Sequence, residues 1–522
     1  MKTIIIGLDG ARLDVLTKWA GEGRLPTVAR ILREGVHGRL ESVLPIHSFP
    51  AWTSLSTGVY PPKHGIYDVL LMDERGFRLL PPNSTMVRVR RFWEILDELG
   101  YRCLVVNVPV TYPPRPLKRG AIVSSVLTPS TDHVFAYPRD VWERLRRQGY
   151  KILPKSRPGT RGYVEEAHEI LDKQYSFVEW YTENRDWDLL FWVVMSTEML
   201  HHHYAPFIDP EHPLYRPEYE DIVRSLYEKV DKYIGELLEG LGRDYTVFIV
   251  SDHGFAPYYG VLYLNAVLER HGLLATRSRL LAAKRLFYSV AKEVGKRVYG
   301  YLPKSLKEKA LKASGFGAHE FTLGLIDWAR TRAYVAFLDG HVNVNLKGRE
   351  AGGSVDPGSY REVVGEVLEK LGGDPELPTA LRLIPKWEVY REGPYIDKVP
   401  DVFVLFGESN ERPFKVKTNP FARRIVEPRL AQFRENTGYH TLYGVFMAYG
   451  SNIRQGYERD ARIVDLAPTI LAIHGVKPPS YMDGRVISDI FEEEPRPGLS
   501  YDSLMSLKKR LRSLFREGKG KA

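Results

Sequence analysis

"YTVFIVSDHG", residues 245–254, runs six strand-forming residues without a polar interruption and then stops in Ser, Asp, His and Gly. A solid run, in contrast to an alternating one, fits a strand buried on both faces. "DLLFWVVMST" (188–197) has the same form, and "IVRSLYEKVDKYIGELLEGL" (222–241), between the two, spaces its apolar residues three and four apart as an amphipathic helix does. "KTIIIGLDG" (2–10) is a third buried strand ending in a Gly turn, followed by the helix pattern "RLPTVARILREGV" (24–36). "RFWEILDELGY" (91–101) and "RCLVVNVP" (102–109) form one more helix-to-strand unit. Solid strands alternating with helices predict an α/β fold: a doubly wound, mostly parallel sheet with helices on both faces. In such sheets ligands bind at the carboxyl ends of the strands. Asp9, Glu198, Asp252 and His253 all stand at such ends.

Outward from those strands, "RAYVAF", "HVNVNLKGRE" and "DVFVLF" read as further strands, and "GVFMAYG" with the helix "IVDLAPTILAIHGV" closes the fold. The expected division is a core over 1–274 and 321–492, a basic helical insertion over 275–320 and a basic tail over 493–522. With 43% apolar and 27% charged residues and no eighteen-residue apolar run, the composition is that of a soluble globular protein. The opening "MKTIIIGLDG" reads as a strand and not as a secretory segment. The single cysteine, Cys103, excludes an internal disulfide and a thiolate metal cluster. Both features fit a cytoplasmic protein.

The net charge of +9 is uneven: residues 275–312 carry eleven Lys/Arg against two Glu, and 508–521 carry seven against one, which leaves the remainder at about −6. The body therefore need not be a nucleic-acid surface, and its mildly acidic balance is compatible with cation sites. The insertion reads either as a solvated cap helix or as a collar touching anionic substrates or membrane headgroups at the periphery.

Glu198 and His202 in "STEMLHHHY" are four apart and share one helix face, as an ion pair or as two ligands of one cation. Asp252 and His253 at a strand end fit a capped turn, with Gly254 supplying positive φ, or a ligand pair. Asp9 fits a turn, and His440 in "TGYHTLYG" a loop. Taken together, three carboxylates and three histidines of this kind suit two divalent cations with N and O ligands, Zn²⁺ or Mn²⁺. Ser48 in "LPIHSFPAWTSLSTG" (44–58) precedes a helix pattern, so the positive helix end would favour an anion beside it. A serine hydroxyl needs a base or a metal to become a nucleophile, and no Gly-x-Ser-x-Gly elbow surrounds this one.

Those residues sit within "GLDGARLD", "SFPAWTSLSTGVYPPKHGIYD", "STEMLHHHYAPFIDPEHPLY", "VSDHGF", "VNLKGRE", "GPYIDKVPDVFVLF", "GYHTLYGVF" and "DLAPTILAIHGVKPPSYMDGRV". In this order, from residue 3 to about 490, the chain resembles the type I phosphodiesterase/nucleotide pyrophosphatase branch of the alkaline phosphatase superfamily. The resemblance implies a two-zinc site: Asp9, Asp252 and His253 on one metal with Ser48 as nucleophile, and Glu198, His202 and His440 on the other. It implies hydrolysis of a small phosphodiester or pyrophosphate through a covalent seryl intermediate, with Lys63 and His64 as candidate phosphate contacts beside capping or solvated roles. Where the family usually has Asp, this chain has Glu198; Ala51 and Asp68-Val69 stand where nucleotide pyrophosphatases place asparagines. Phosphomonoesterase, phosphomutase and phosphonate hydrolase activity on the same core are alternatives, as is a non-enzymatic, metal-stabilised binding protein. A sulfatase would need a Cys/Ser-x-Pro-x-Arg motif, which "SFPAW" lacks.

Overall fold

Lys2–Leu8 (β1) lies at the centre of the main sheet, and every residue after Lys2 is buried because covering helices leave neither face to water. The computed structural model describes residues 2–72, 79–242, 244–277, 324–336, 340–410, 412–427, 436–496, 498, 500, 501, 503 and 506. The basic insertion expected over 275–320 lies outside the described residues from 278 onward, as does the charged stretch 508–521 of the tail.

The other strands of this sheet are Val36–Glu41 (β2), Cys103–Val106 (β3), Ala121–Val123 (β4), Ala136–Tyr137 (β5), Leu189–Val194 (β6), Tyr245–Val250 (β7) and Tyr443–Gly450. Their order across the sheet is β2, Tyr443–Gly450, β7, β1, β6, β3, β4, β5, with Tyr457–Glu458 and Ala461–Arg462 flanking β2. The block from β7 to β4 is parallel, as the solid apolar runs predict. Tyr443–Gly450 runs antiparallel to both β7 and β2, so the closing strand enters the sheet against its direction. Register places Leu8 opposite Val194 and Gly7 opposite Val250. Three strands therefore end at one level, and the residues that follow them share one rim.

Helices Leu13–Gly21 (α1), Pro26–Glu34 (α2), Ser48–Thr57 (α3), Phe92–Leu99 (α4), Arg161–Asn184 (α5), Ser196–Ile208 (α6), Pro217–Glu239 (α7) and Leu466–Ile473 (α8) pack on this sheet or one another. Phe191 of β6 meets the rings of Trp52 (α3), Phe92 and Trp93 (α4) at centroid distances of 5.9, 5.9 and 5.8 Å. Each such pair adds about 0.5–1.5 kcal/mol beyond its burial.

The strand patterns of the second half form short strands outside the main sheet: Ala333–Tyr334 with Asn343–Val344, and Leu381–Pro385 with Val402–Phe406. They surround a second apolar core drawn from Leu262 to Ile425. Its polar anchor is the fully buried Asp401, which accepts from Arg349, Tyr360 Oη and the Val344 N–H and pairs with Lys386. Among the described residues no helix is long and apolar enough to cross a membrane.

Candidate two-cation active site

Ser48 is the first residue of α3, held there by an extended His47 (φ −152°, ψ 149°). Its Oγ is buried and lies 3.4 Å from Asp9 Oδ1, 3.3 Å from Glu198 Oε1 and 3.2 Å from His253 Nε2. The α3 dipole points its positive end at this oxygen.

Asp9 follows β1, its N–H donating to Val194 O and its carbonyl accepting from Thr197 Oγ1. Gly10 turns the chain at φ +66°, as the sequence pattern predicts. Asp252 and His253 follow β7. Gly254 differs from the expected turn glycine: it opens strand Gly254–Pro257 (β8) without positive φ, and a Cβ there would stand 2.3 Å from Thr441 Oγ1 and 2.4 Å from Tyr443 O. The close approach of a neighbouring strand requires glycine here, not a left-handed turn. That neighbour is Gly438–Thr441 (β9), paired antiparallel with His440 opposite Phe255, and Tyr443–Gly450 follows as β10. This long-range pairing delivers His440 to the rim.

Glu198 and His202 share a face of α6, with His202 Nε2 3.1 Å from Glu198 Oε1; His440 Nε2 is 3.0 Å from the same oxygen. Ligand atoms of Asp9, Asp252 and His253 lie within 4.8 Å of one another, as do those of Glu198, His253 and His440. The structure thus brings Ser48, Asp9, Glu198, Asp252, His253 and His440 into one buried cluster, with His253 shared by both trios and the partly exposed His202 joined to it through Glu198. Lys63 and His64 take other partners. Lys63 Nζ pairs with Asp483 (2.6 Å), and His64, fully buried, contacts Ser54 Oγ and accepts from the Ile66 N–H. Burial and Arg91 push the His64 imidazole down to about 3.

The electrostatics of the cluster call for cations. Burial, then neighbouring carboxylates, push Asp9 and Asp252 well above the usual carboxylate range. Burial also acts on Glu198, but the imidazoles of His202 and His440 hold it well below that range. Burial keeps His253 well below its ordinary value, and hence neutral. Among the described residues no lysine or arginine pairs with these three acids. His253 Nδ1 donates to Gly254 O and His440 Nδ1 to Ile46 O, which orients each ring with Nε2 facing the cluster. His440 Nε2 faces Glu198 Oε1 at 3.0 Å within the cluster. Asp252 Oδ2 is buried without a hydrogen bond. Hard oxygen and borderline nitrogen donors in this ratio fit Zn²⁺ or Mn²⁺.

Sequence patterns missed the supports. Trp52 Nε1 donates to Asp9 Oδ2 at 2.8 Å, and Ser251 Oγ takes the Ala11 N–H while donating to His253 O. Trp52 stands one helical turn after Ser48, a spacing that marks a shared face but not its distant partner.

The sequence profile described as type I phosphodiesterase / nucleotide pyrophosphatase matches residues 3–403, a span that includes every clustered residue except His440. Human ectonucleotide pyrophosphatase/phosphodiesterase family member 1 is 22% identical over 281 residues, 51% of this chain and 25% of that protein. The rat protein of the same name is 23% identical over 277 residues, again 51% and 25%. The chain thus spans about a quarter of the length of the curated relatives it matches. Human ectonucleotide pyrophosphatase / phosphodiesterase 5 superposes with a TM-score of 0.52 at 14% identity, covering 94% of this chain and 100% of that one. Phosphonoacetate hydrolase from Sinorhizobium meliloti 1021, in complex with phosphonoformate, superposes with a TM-score of 0.56 at 16% identity, covering 90% and 94%. At these identities the likeness to solved structures is one of fold, and that fold is the α/β sandwich expected from the strand pattern.

Proposed function

The chain belongs to the type I phosphodiesterase / nucleotide pyrophosphatase family, and from that premise we propose that it hydrolyses phosphodiester or pyrophosphate bonds of small substrates with Ser48 as nucleophile. The observation that carries this is the position of Ser48 Oγ, buried at a helix N-terminus within 3.2–3.4 Å of Asp9, Glu198 and His253. Nothing in packing demands a hydroxyl among three carboxylates and three histidines.

Asp9, Asp252 and His253 would hold one divalent cation, and Glu198, His202 and His440 a second, Zn²⁺ or Mn²⁺. Such ions, when bound, supply positive charge that favours the serine alkoxide and offsets charge on the phosphoryl and leaving oxygens. The chain's own contribution is positioning. Strands β1, β6 and β7, ending in register, fix the acids. The Nδ1–H bonds of His253 and His440 fix the imidazoles. Helix α3 aims Ser48 Oγ and its own positive end at one point. Ser48 attacks phosphorus in line, the Oγ–P bond forms as the leaving oxygen departs, and water then cleaves the seryl ester.

Ala51 and Asp68-Val69 supply no side-chain amide where nucleotide pyrophosphatases have asparagine, so the proposal extends to phosphoesters without naming a nucleotide. Murine ectonucleotide pyrophosphatase / phosphodiesterase 5 has been solved as an inactive variant in complex with AMP (TM-score 0.52, 15% identity, 94% of this chain and 100% of that one), which makes AMP-yielding dinucleotides a reasonable arm of a substrate panel.

The test is Ser48→Ala against wild type on bis-p-nitrophenyl phosphate, p-nitrophenyl phosphate, a phosphonate and a dinucleotide, with elemental analysis of both proteins. Loss of all hydrolysis with bound metal retained supports the proposal. Near-normal turnover by the alanine variant removes Ser48 from the mechanism, and preference for the monoester or the phosphonate reassigns the substrate class.

A further inference from the structure

Neither aspartate at the rim is free to turn. Asp9 Oδ2 accepts the Trp52 Nε1–H at 2.8 Å, and Asp252 Oδ1 accepts the Gly10 N–H at 3.4 Å. In each, the other oxygen faces the cluster: Asp9 Oδ1 lies 3.4 Å from Ser48 Oγ and 3.7 Å from His253 Nε2, and Asp252 Oδ2 lies 3.3 Å from His253 Nε2. The donor to Asp252 is backbone, inherited from the Gly10 turn. The donor to Asp9 is a side chain, and it stands on the helix that carries Ser48.

That placement joins two parts of the site. Ser48 and Trp52, four apart on α3, share a face. The indole is fully buried and cannot swing away: a Cβ added at Gly7 of β1 would sit 2.5 Å from Cη2 of its ring, and Phe191 of β6 closes the adjoining side. Helix α3 therefore cannot slide along β1 without breaking the bond to Asp9.

We propose that Trp52 is a positioning residue: its indole N–H turns Asp9 so that Oδ1 alone points to the cation site, and it ties that carboxylate to the helix presenting Ser48. The inference rests on the two-cation reading above. Hydrogen bonds to ligating groups orient them, and their loss typically weakens metal affinity or activity about 10–100-fold. Without the N–H, Asp9 Oδ2 is left buried with no donor among the described residues, and the carboxylate rotates to find one. The Asp9, Asp252 and His253 group loses its geometry; the Glu198, His202 and His440 group does not depend on this bond.

Two variants separate the donor from the ring. Trp52→Phe removes the N–H along with part of the ring, whereas Trp52→benzothienylalanine, introduced at this one position, keeps the bicyclic shape and removes only the donor. Zinc affinities of the metal-free full-length proteins are measured by competition with a chromophoric chelator, beside their melting temperatures and kcat and KM on bis-p-nitrophenyl phosphate. The wild type is expected to bind two ions. In both variants one ion is expected to bind as in the wild type and the other about 10–100-fold more weakly, with kcat falling and KM little changed. The metal-free melting temperature of the benzothienylalanine protein should match wild type. Two ions held by that protein as tightly as by wild type, with kcat unchanged, overturn the role of Trp52 while leaving the two-cation reading intact. An effect seen with Phe but not with benzothienylalanine also overturns it, because packing and not the N–H is then responsible. Fewer than two ions on the wild type overturn the two-cation reading itself, and this inference with it.

Discussion

Asp252→Asn should make the cation-free protein more stable while impairing its capacity to bind cations. One oxygen each of Asp9 and Asp252 lies within 4.8 Å of the other, and both residues are fully buried. Two unit charges at that separation repel by about 3.5 kcal/mol at an effective dielectric constant of about 20. The amide keeps the Oδ1 that accepts the Gly10 N–H, and it places an N–H where Asp252 Oδ2 now lies without a hydrogen bond. The sign of the pH dependence follows from the raised folded-state values of both acids, caused first by burial and then by neighbouring carboxylates. The folded protein holds these protons more tightly than the unfolded chain. Between the unfolded carboxylate value of about 3.9 and the higher folded values, unfolding releases protons, so stability falls as pH rises. The variant loses one such group and the repulsion with it. Its advantage in chelator should therefore grow as pH rises above the unfolded carboxylate value of about 3.9 and approach about 3.5 kcal/mol once both acids are ionised. With saturating zinc the order should reverse, because a ligand has been lost. Denaturant unfolding of both proteins, in chelator and in zinc across that range, reads this directly. A variant less stable than wild type in alkaline chelator, or an equal effect of chelator on both proteins, would refute the reasoning.

His202→Ala removes the nitrogen 3.1 Å from Glu198 Oε1, and elemental analysis should find one divalent ion fewer per chain than in wild type. Tyr390→Phe deletes a hydroxyl that takes the Leu44 N–H (2.9 Å) and donates to Leu44 O (2.6 Å), just ahead of Ser48; a loss of about 1–3 kcal/mol in unfolding free energy is expected, with lower kcat and unaltered metal content. Asp401→Ala strands Arg349 and Lys386 in the second core and should destabilise by about 3–5 kcal/mol. Burial raises the Asp401 carboxyl, but Arg349 outweighs it and holds the group below its ordinary value. Its stabilisation is therefore present above about pH 3.9 and lost as pH falls through the lower folded value. Unfolding midpoints of this variant should show a shallower acid limb than wild type.

The strands of the sheet and their covering helices were legible because burial on both faces writes itself into consecutive residues: Leu189–Val194 and Tyr245–Val250 need no distant partner to be read as strands. Ser48 as a helix start, and the shared face of Glu198 and His202, were legible for the same local reason. His440 was not, taken as a residue: a lone loop histidine reaches the cluster only because β9 pairs with β8 in one register. The demand for glycine at 254 came from a neighbouring strand, and the donor to Asp9 from a helix 43 positions away. Periodicity, propensity and charge are properties of neighbours along the chain, and they determined the class of fold and the candidate chemistry. Convergence of side chains from β1, α3, α6, β7 and β9 is a property of sheet register and helix docking, which depend on contacts between distant segments, and only the tertiary structure decided it.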